Sequence, residues 1–95
     1  MENKPYLEEY YGLECPHCQK MQALARQIEE ETKIPFARFE VWHDKENMKR
    51  IEELDKESKC GGVPYYYNRQ TGKTLCGEVD YEIMLKWARG EEYQQ

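Results

Sequence analysis

The chain has 95 residues, of which 39% are hydrophobic and 35% charged, and carries a net charge of −5. This length suits one domain over residues 1–95 and is too short for two, and the negative charge argues against nucleic acid or an anionic membrane as partner, since both require a basic face. No run of about 18 apolar residues is present to span a membrane, and Met1-Glu2-Asn3-Lys4-Pro5 lacks the apolar stretch of a secretory leader, so a cytoplasmic location is expected.

The first element is a strand, Tyr6 to Tyr11, rich in β-forming aromatics, ending at Gly12 and carrying Glu8 and Glu9 inside it. Cys15 then falls where a helix N-cap belongs and Pro16 at the first helical position, where the missing N–H costs nothing. Met21, Leu24, Ala25 and Ile28 recur at helical spacing to about Thr32, and Ile34-Pro35 stops the helix. Phe36 to Trp42 alternates as a second strand. A second helix is expected from about Lys45 to Glu57, with the stripe Met48, Ile51 and Leu54. Its charges read as a solvated face, paired Glu46–Arg50 and Glu52–Lys56 at i,i+4. Tyr65-Tyr66-Tyr67 and Thr74 to Glu78 read as a hairpin joined through residues 68–73. Asp80 caps a last helix whose buried stripe is Tyr81, Met84, Leu85 and Ala88, and Gly90 ends it. Residues 91–95 form a polar tail, leaving a core over about 5–90. The order is β-α-β-α-β-β-α: an α/β domain with a four-stranded mixed sheet and helices on both faces, the first crossover parallel and the hairpin antiparallel.

Cys15-Pro16-His17-Cys18 carries the chemistry. Disulfide exchange needs a thiolate, and free cysteine, with a pKa of about 8.5, is mostly protonated at neutral pH. A helix N-terminus directs unpaired N–H groups and the positive end of the dipole at Cys15. Cys18, one turn deeper on the same face, is placed to resolve a mixed disulfide. His17 offers a hydrogen bond or a positive charge that favours the Cys15 thiolate. Zinc would need two further ligands, usually a second close pair. Cys60 and Cys76 are 16 apart and His43 stands alone, so the redox reading is preferred and no metal is expected. The rival is a metal or iron–sulfur carrier using Cys15 with Cys18 or Cys60; a third reading is an interaction domain that has lost its chemistry.

From Tyr6 to Arg89 the chain resembles the thioredoxin-like superfamily, in its compact glutaredoxin-type form, and Cys15-Pro16-His17-Cys18 is similar to the motif of DsbA-type thiol oxidases. The resemblance implies an exposed nucleophile at Cys15, a resolving Cys18 and a redox-active Cys15–Cys18 disulfide, with Pro16 and His17 tuning the nucleophile. It implies a cis bond at Val63-Pro64, although only about 5–6% of X–Pro bonds are cis in general. There the backbone of Val63 would pair with an extended substrate. Glu9, six residues before Cys15, matches a buried acid that takes the proton of the resolving thiol. Burial raises such a carboxyl toward neutrality, and Arg38 is its candidate partner; the alternative has Glu8 inward and Glu9 outward. Cys76 to Asp80 partly resembles a glutathione-holding segment, fitting only at Gly77 and Asp80, where plain helix capping is the competing account of Asp80.

The expected function is a monomeric thiol–disulfide oxidoreductase acting on protein or small-molecule disulfides. Its electrons would come from a thiol reductant, either a thioredoxin reductase or glutathione. No cofactor is expected, and glutathione is kept open as a co-substrate. His17 argues for an oxidising poise and the cytoplasmic expectation for a reductant; location is given more weight. With Cys76 opposite Tyr65, Cys60 would lie about 16 Å away along extended chain, beyond the roughly 7 Å a disulfide allows. A Cys60–Cys76 bridge is therefore not expected unless the Gly61-Gly62 loop folds back. Cys76 is read as a buried strand cysteine and Cys60 as a loop residue on the approach to the site, with an accessory redox or metal role as the alternative; the tyrosines, Tyr65, Tyr66 and Tyr67 above all, are read as sheet packing, the alternative being an aromatic platform around the site for unfolded or peptide substrates.

Overall fold

The computed structural model describes residues 5–95. Its elements are β1 (Leu7–Tyr11), α1 (Pro16–Thr32), β2 (Phe36–Glu40), α2 (Lys45–Leu54), β3 (Tyr65–Asn68), β4 (Thr74–Cys76) and α3 (Tyr81–Arg89). The order is the one read from the sequence. Boundaries move where a side chain or a glycine intervenes. β2 stops at Glu40 rather than Trp42 because the Glu40 carboxylate accepts the Trp42 and His43 N–H groups at 3.2 and 2.7 Å and turns the chain. β4 stops at Cys76 because Gly77 takes a left-handed φ of 73°, which a residue with a Cβ resists.

The strands lie in the order β2-β1-β3-β4. β1 and β2 are parallel, with Glu9 beside Arg38; β1 and β3 are antiparallel, with Glu9 beside Tyr66. Alternation along β1 sends Leu7 to one core and Tyr10 to the other. The larger core joins α1 and α3 to the sheet through Leu7, Met21, Ile28, Tyr66, Leu75 and Trp87. The smaller core lies under α2 and holds Tyr10, Val41, Ile51 and Tyr65. Trp87 is fully buried, and its indole N–H donates to the Lys73 carbonyl at 3.0 Å. Truncating so large a buried ring costs about 3–5 kcal/mol. The buried tyrosines are the packing the sequence suggested, although two of them also hold acids.

Two surface expectations fail. Arg50 does not pair with Glu46 along α2; its guanidinium crosses to the sheet and reaches Glu8 and Tyr10, each at 2.6 Å. A buried carboxylate in low dielectric attracts a guanidinium far more strongly than a solvated neighbour does. Residues 91–95 lie along β4: the Tyr93 hydroxyl donates to the Thr74 carbonyl at 2.8 Å, and the Gln95 carboxamide accepts from the Cys76 N–H at 3.1 Å. The tail thus satisfies an edge strand that would otherwise present open backbone groups. Among the described residues no helix is long and apolar enough to cross a membrane.

Candidate active site

Cys15 is the N-cap of α1, with Pro16 behind it in the first turn. Its Sγ accepts the Cys18 N–H at 3.2 Å, and its own N–H donates to the Gly12 carbonyl at 3.0 Å. Both thiols are free. Cys15 is 4% exposed and Cys18 fully buried. Cys15 is therefore recessed rather than openly exposed as the resemblance implied. Among the described residues the exposed large hydrophobics are Leu13 and Trp42, both near the Gly12 turn that precedes it. Gly12 lies against the Trp42 indole: a Cβ there would stand 2.2 Å from the ring.

Burial, followed by the hydrogen bond with Cys15, pushes the Cys18 thiol up to about 12. Cys18 therefore holds its proton at neutral pH until a base takes it. Glu9 is fully buried and points to the α1 side of the sheet, where its charge is one of the influences raising Cys18. Desolvation raises the Glu9 carboxyl above its ordinary value, while Tyr66 and Arg38 pull it down. The Tyr66 hydroxyl donates to Oε2 at 2.9 Å and Arg38 Nε to Oε1 at 2.9 Å. Arg38 is held from its far end by Glu29, at 2.8 Å. Glu8 is buried too, but on the opposite face, so the inward-or-outward alternatives for these two acids are not exclusive.

His17 does not turn toward Cys15. Its Nδ1 bonds the Glu78 carboxylate, which also takes Lys20 Nζ at 3.0 Å. These contacts, His17 first, hold the Glu78 carboxyl below its ordinary value. The Val63–Pro64 bond is cis, and the Pro64 carbonyl accepts the Gly77 N–H at 2.8 Å. Gly77 is thereby tied to the Pro64 segment, while the Asp80 carboxylate is occupied as the α3 cap by the Ile83 N–H at 2.9 Å.

Cys60 and Cys76 form a disulfide, with Cα atoms 5.5 Å apart. This corrects the expectation of two separate cysteines and removes Cys60 from any metal-carrier role. Cys76 does stand beside Tyr65 as expected, but only half-buried. The extended path assumed upstream is not taken: Gly61 has φ of 75°, and the Asp55 carboxylate gathers the Cys60 and Gly61 N–H groups at 3.2 and 2.9 Å. His43 is not isolated either. Its Nε2 bonds Glu14 at 2.8 Å, and with Glu40 these form a group whose ligand atoms lie within 4.8 Å of one another. Glu40 spends both oxygens on backbone N–H groups of Leu13, Trp42 and His43, so this cluster is accounted for as loop structure.

The bond of Tyr66 to Glu9 and the places of Glu78 and Trp42 beside the motif were missed. Tyr66 is signalled by the strand alternation that separates it from Tyr65 and Tyr67; the other two meet the site only through tertiary contacts.

No protein-family model matches the sequence, and no curated protein matches it. Solved structures do. A thioredoxin from Aeropyrum pernix matches at TM-score 0.66 and 18% identity, over 88% of this chain and 72% of that one. A glutaredoxin from Archaeoglobus fulgidus matches at 0.61 and 21%, over 94% and 96%. A mutant of a thioredoxin-like protein matches at 0.60 and 17%, over 94% and 100%. The chain has the thioredoxin-like fold, the class the sequence resemblance implied.

Proposed function

We propose that the protein is a dithiol thiol–disulfide oxidoreductase. The observation that carries this is the Cys15 sulfur at the head of α1, receiving the Cys18 N–H while Cys18 lies buried behind it. The Cys15 thiolate attacks a substrate disulfide, forming a mixed disulfide and releasing one substrate thiolate. Glu9 takes the Cys18 proton. Cys18 then attacks the Cys15 sulfur, forming the Cys15–Cys18 disulfide and releasing the second substrate thiolate. The substrate is reduced by two electrons and the enzyme oxidised by two. A thiol reductant, through a reductase or glutathione, reverses the enzyme's half.

Val63, ahead of cis-Pro64, offers backbone to an extended substrate, and exposed Leu13 and Trp42 favour a polypeptide disulfide. Gly77 and Asp80 are the places where a glutathione carboxylate and amine would be sought, although Glu78 lies between them. The pairing of His17 with Glu78 offsets the charge an oxidising poise would draw on, which supports a reductant, acting as a monomer.

A titration of the Cys15–Cys18 couple tests this. A potential near −270 mV, about that of thioredoxin, supports a reductant, and one near −120 mV an oxidant. Cys18→Ser should accumulate the mixed disulfide at Cys15. Failure of the pair to oxidise, or stoichiometric metal in freshly purified protein, would discard the reading.

A further inference from the structure

We propose that Cys60–Cys76 is a second redox site, opened by thiols, whose state sets the order of the Val63–Pro64 ledge. The effect on the ledge's substrate rests on the oxidoreductase reading; the opening of the bond does not.

The bond ties a loop to a joint. On one side is the segment from Cys60 to Pro64, with exposed glycines at 61 and 62. A Cβ at Gly62 would meet nothing within 4 Å, so the loop there lies over open space. Besides the disulfide, the segment is held by Asp55 at Cys60 and Gly61, by the Gly77 N–H at Pro64, and by the packing of Cys60 and Val63 on the smaller core, which leaves Gly61 and Gly62 as its loose part. On the other side, Cys76 is followed by Gly77, which grips Pro64, and by Glu78, which grips His17 and Lys20 on α1. One covalent bond therefore braces the ledge against the same short segment that reaches the CxxC helix.

The two cysteine pairs also differ in access. Cys15 and Cys18 are buried, whereas Cys60 and Cys76 are each partly exposed. Exchange depends on access to a sulfur, and it is the second pair that has it. The loop is one wall of a groove of ≈ 490 Å³, where Gly61, Gly62 and Val63 face Val41, Trp42 and Met48. Opening the bond frees that wall.

In the step itself, a thiolate RS⁻ attacks one sulfur, giving a protein–SR mixed disulfide and a protein thiolate. A second RS⁻ attacks the outer sulfur of that mixed disulfide, forming RSSR and releasing the second protein thiolate, so that Cys60 and Cys76 are both reduced. Two electrons pass from the thiols to the protein bond, and a disulfide oxidant runs the step in reverse. The ledge is then firm when the thiol pool is oxidised and disulfide substrates abound, and loose when the pool is reduced.

The test poises the native protein across a series of reduced and oxidised dithiothreitol, alkylates it, and maps each cysteine by mass. Expected are alkylation of Cys60 and Cys76 without denaturant, faster amide exchange over residues 60–64, and a KM for a polypeptide disulfide raised about fivefold with kcat little changed. Cys60→Ser with Cys76→Ser should show the raised KM at every poise. Alkylation only after denaturation would overturn the redox site, and unchanged amide exchange on reduction would overturn its hold on the order of the ledge. An unchanged KM would overturn its control of the ledge. The mapping and amide exchange repeat in Cys15→Ser with Cys18→Ser, which cannot turn over. Opening there, together with an inactive wild type, would defeat the oxidoreductase reading while upholding the second redox site.

Discussion

Glu8 and Glu9 are neighbours on one strand, equally buried, and built into opposite arrangements. Glu8 faces the α2 layer and is met by Arg50, Arg69 and the Tyr10 hydroxyl. Both guanidiniums reach solvent, and no thiol lies among these partners. Glu9 faces the α1 layer, is met by one guanidinium and one hydroxyl, and sits where its charge is felt by Cys18. Burial alone therefore does not make an acid functional. A carboxylate ringed by cations is a fastening, whereas Glu9, with a raised affinity for protons, is the acid that the proposed mechanism uses as its base.

Substitutions that separate the two acids test this contrast. Glu9→Gln should slow resolution of the mixed disulfide by about 100-fold at neutral pH while leaving the first attack unchanged, as single-turnover kinetics would read. The same variant has a stability signature. Because the folded protein holds the Glu9 proton above the ordinary value of 4.5, stability falls as pH rises from there through the raised value. The melting temperature of Glu9→Gln relative to wild type should climb over that window; a constant difference would contradict a raised Glu9. Glu8→Ala should cost about 2 kcal/mol in a denaturant melt, below the usual toll of breaking a buried pair because both arginines can turn to water. It should leave the pH profile of exchange where it was. Arg38→Gln removes the cation that pulls Glu9 down, so the pH midpoint of resolution should move upward. Tyr66→Phe deletes one hydrogen bond to Glu9, worth about 1 kcal/mol in stability, and should also move that midpoint upward.

The fold was legible because its signals are local. Met21, Ala25 and Ile28 mark one helical face, the aromatic strands alternate, and Pro16 and Asp80 mark helix starts. The CxxC was legible for the same reason, and so was the cis Val63–Pro64 bond, through family resemblance. What was missed depends on where distant pieces meet. The i,i+4 rule assigned Arg50 to Glu46, but a buried Glu8 42 residues away holds it instead. His17 and Glu78 are 61 apart in sequence. The Cys60–Cys76 bond was rejected on the length of an extended chain, and what shortens that path is Asp55 gathering two N–H groups of a glycine loop. None of these three contacts leaves a periodic mark in the sequence.

The docking of Tyr93 and Gln95 on β4 has a practical consequence for anyone handling the molecule. These side chains occupy backbone groups of Thr74 and Cys76 that another strand would otherwise seek. A chain cut after Gly90, or a bulky tag fused directly to Gln95, would uncover that edge right beside the second cysteine pair. Such material should self-associate through strand pairing, so an affinity handle belongs at the other end.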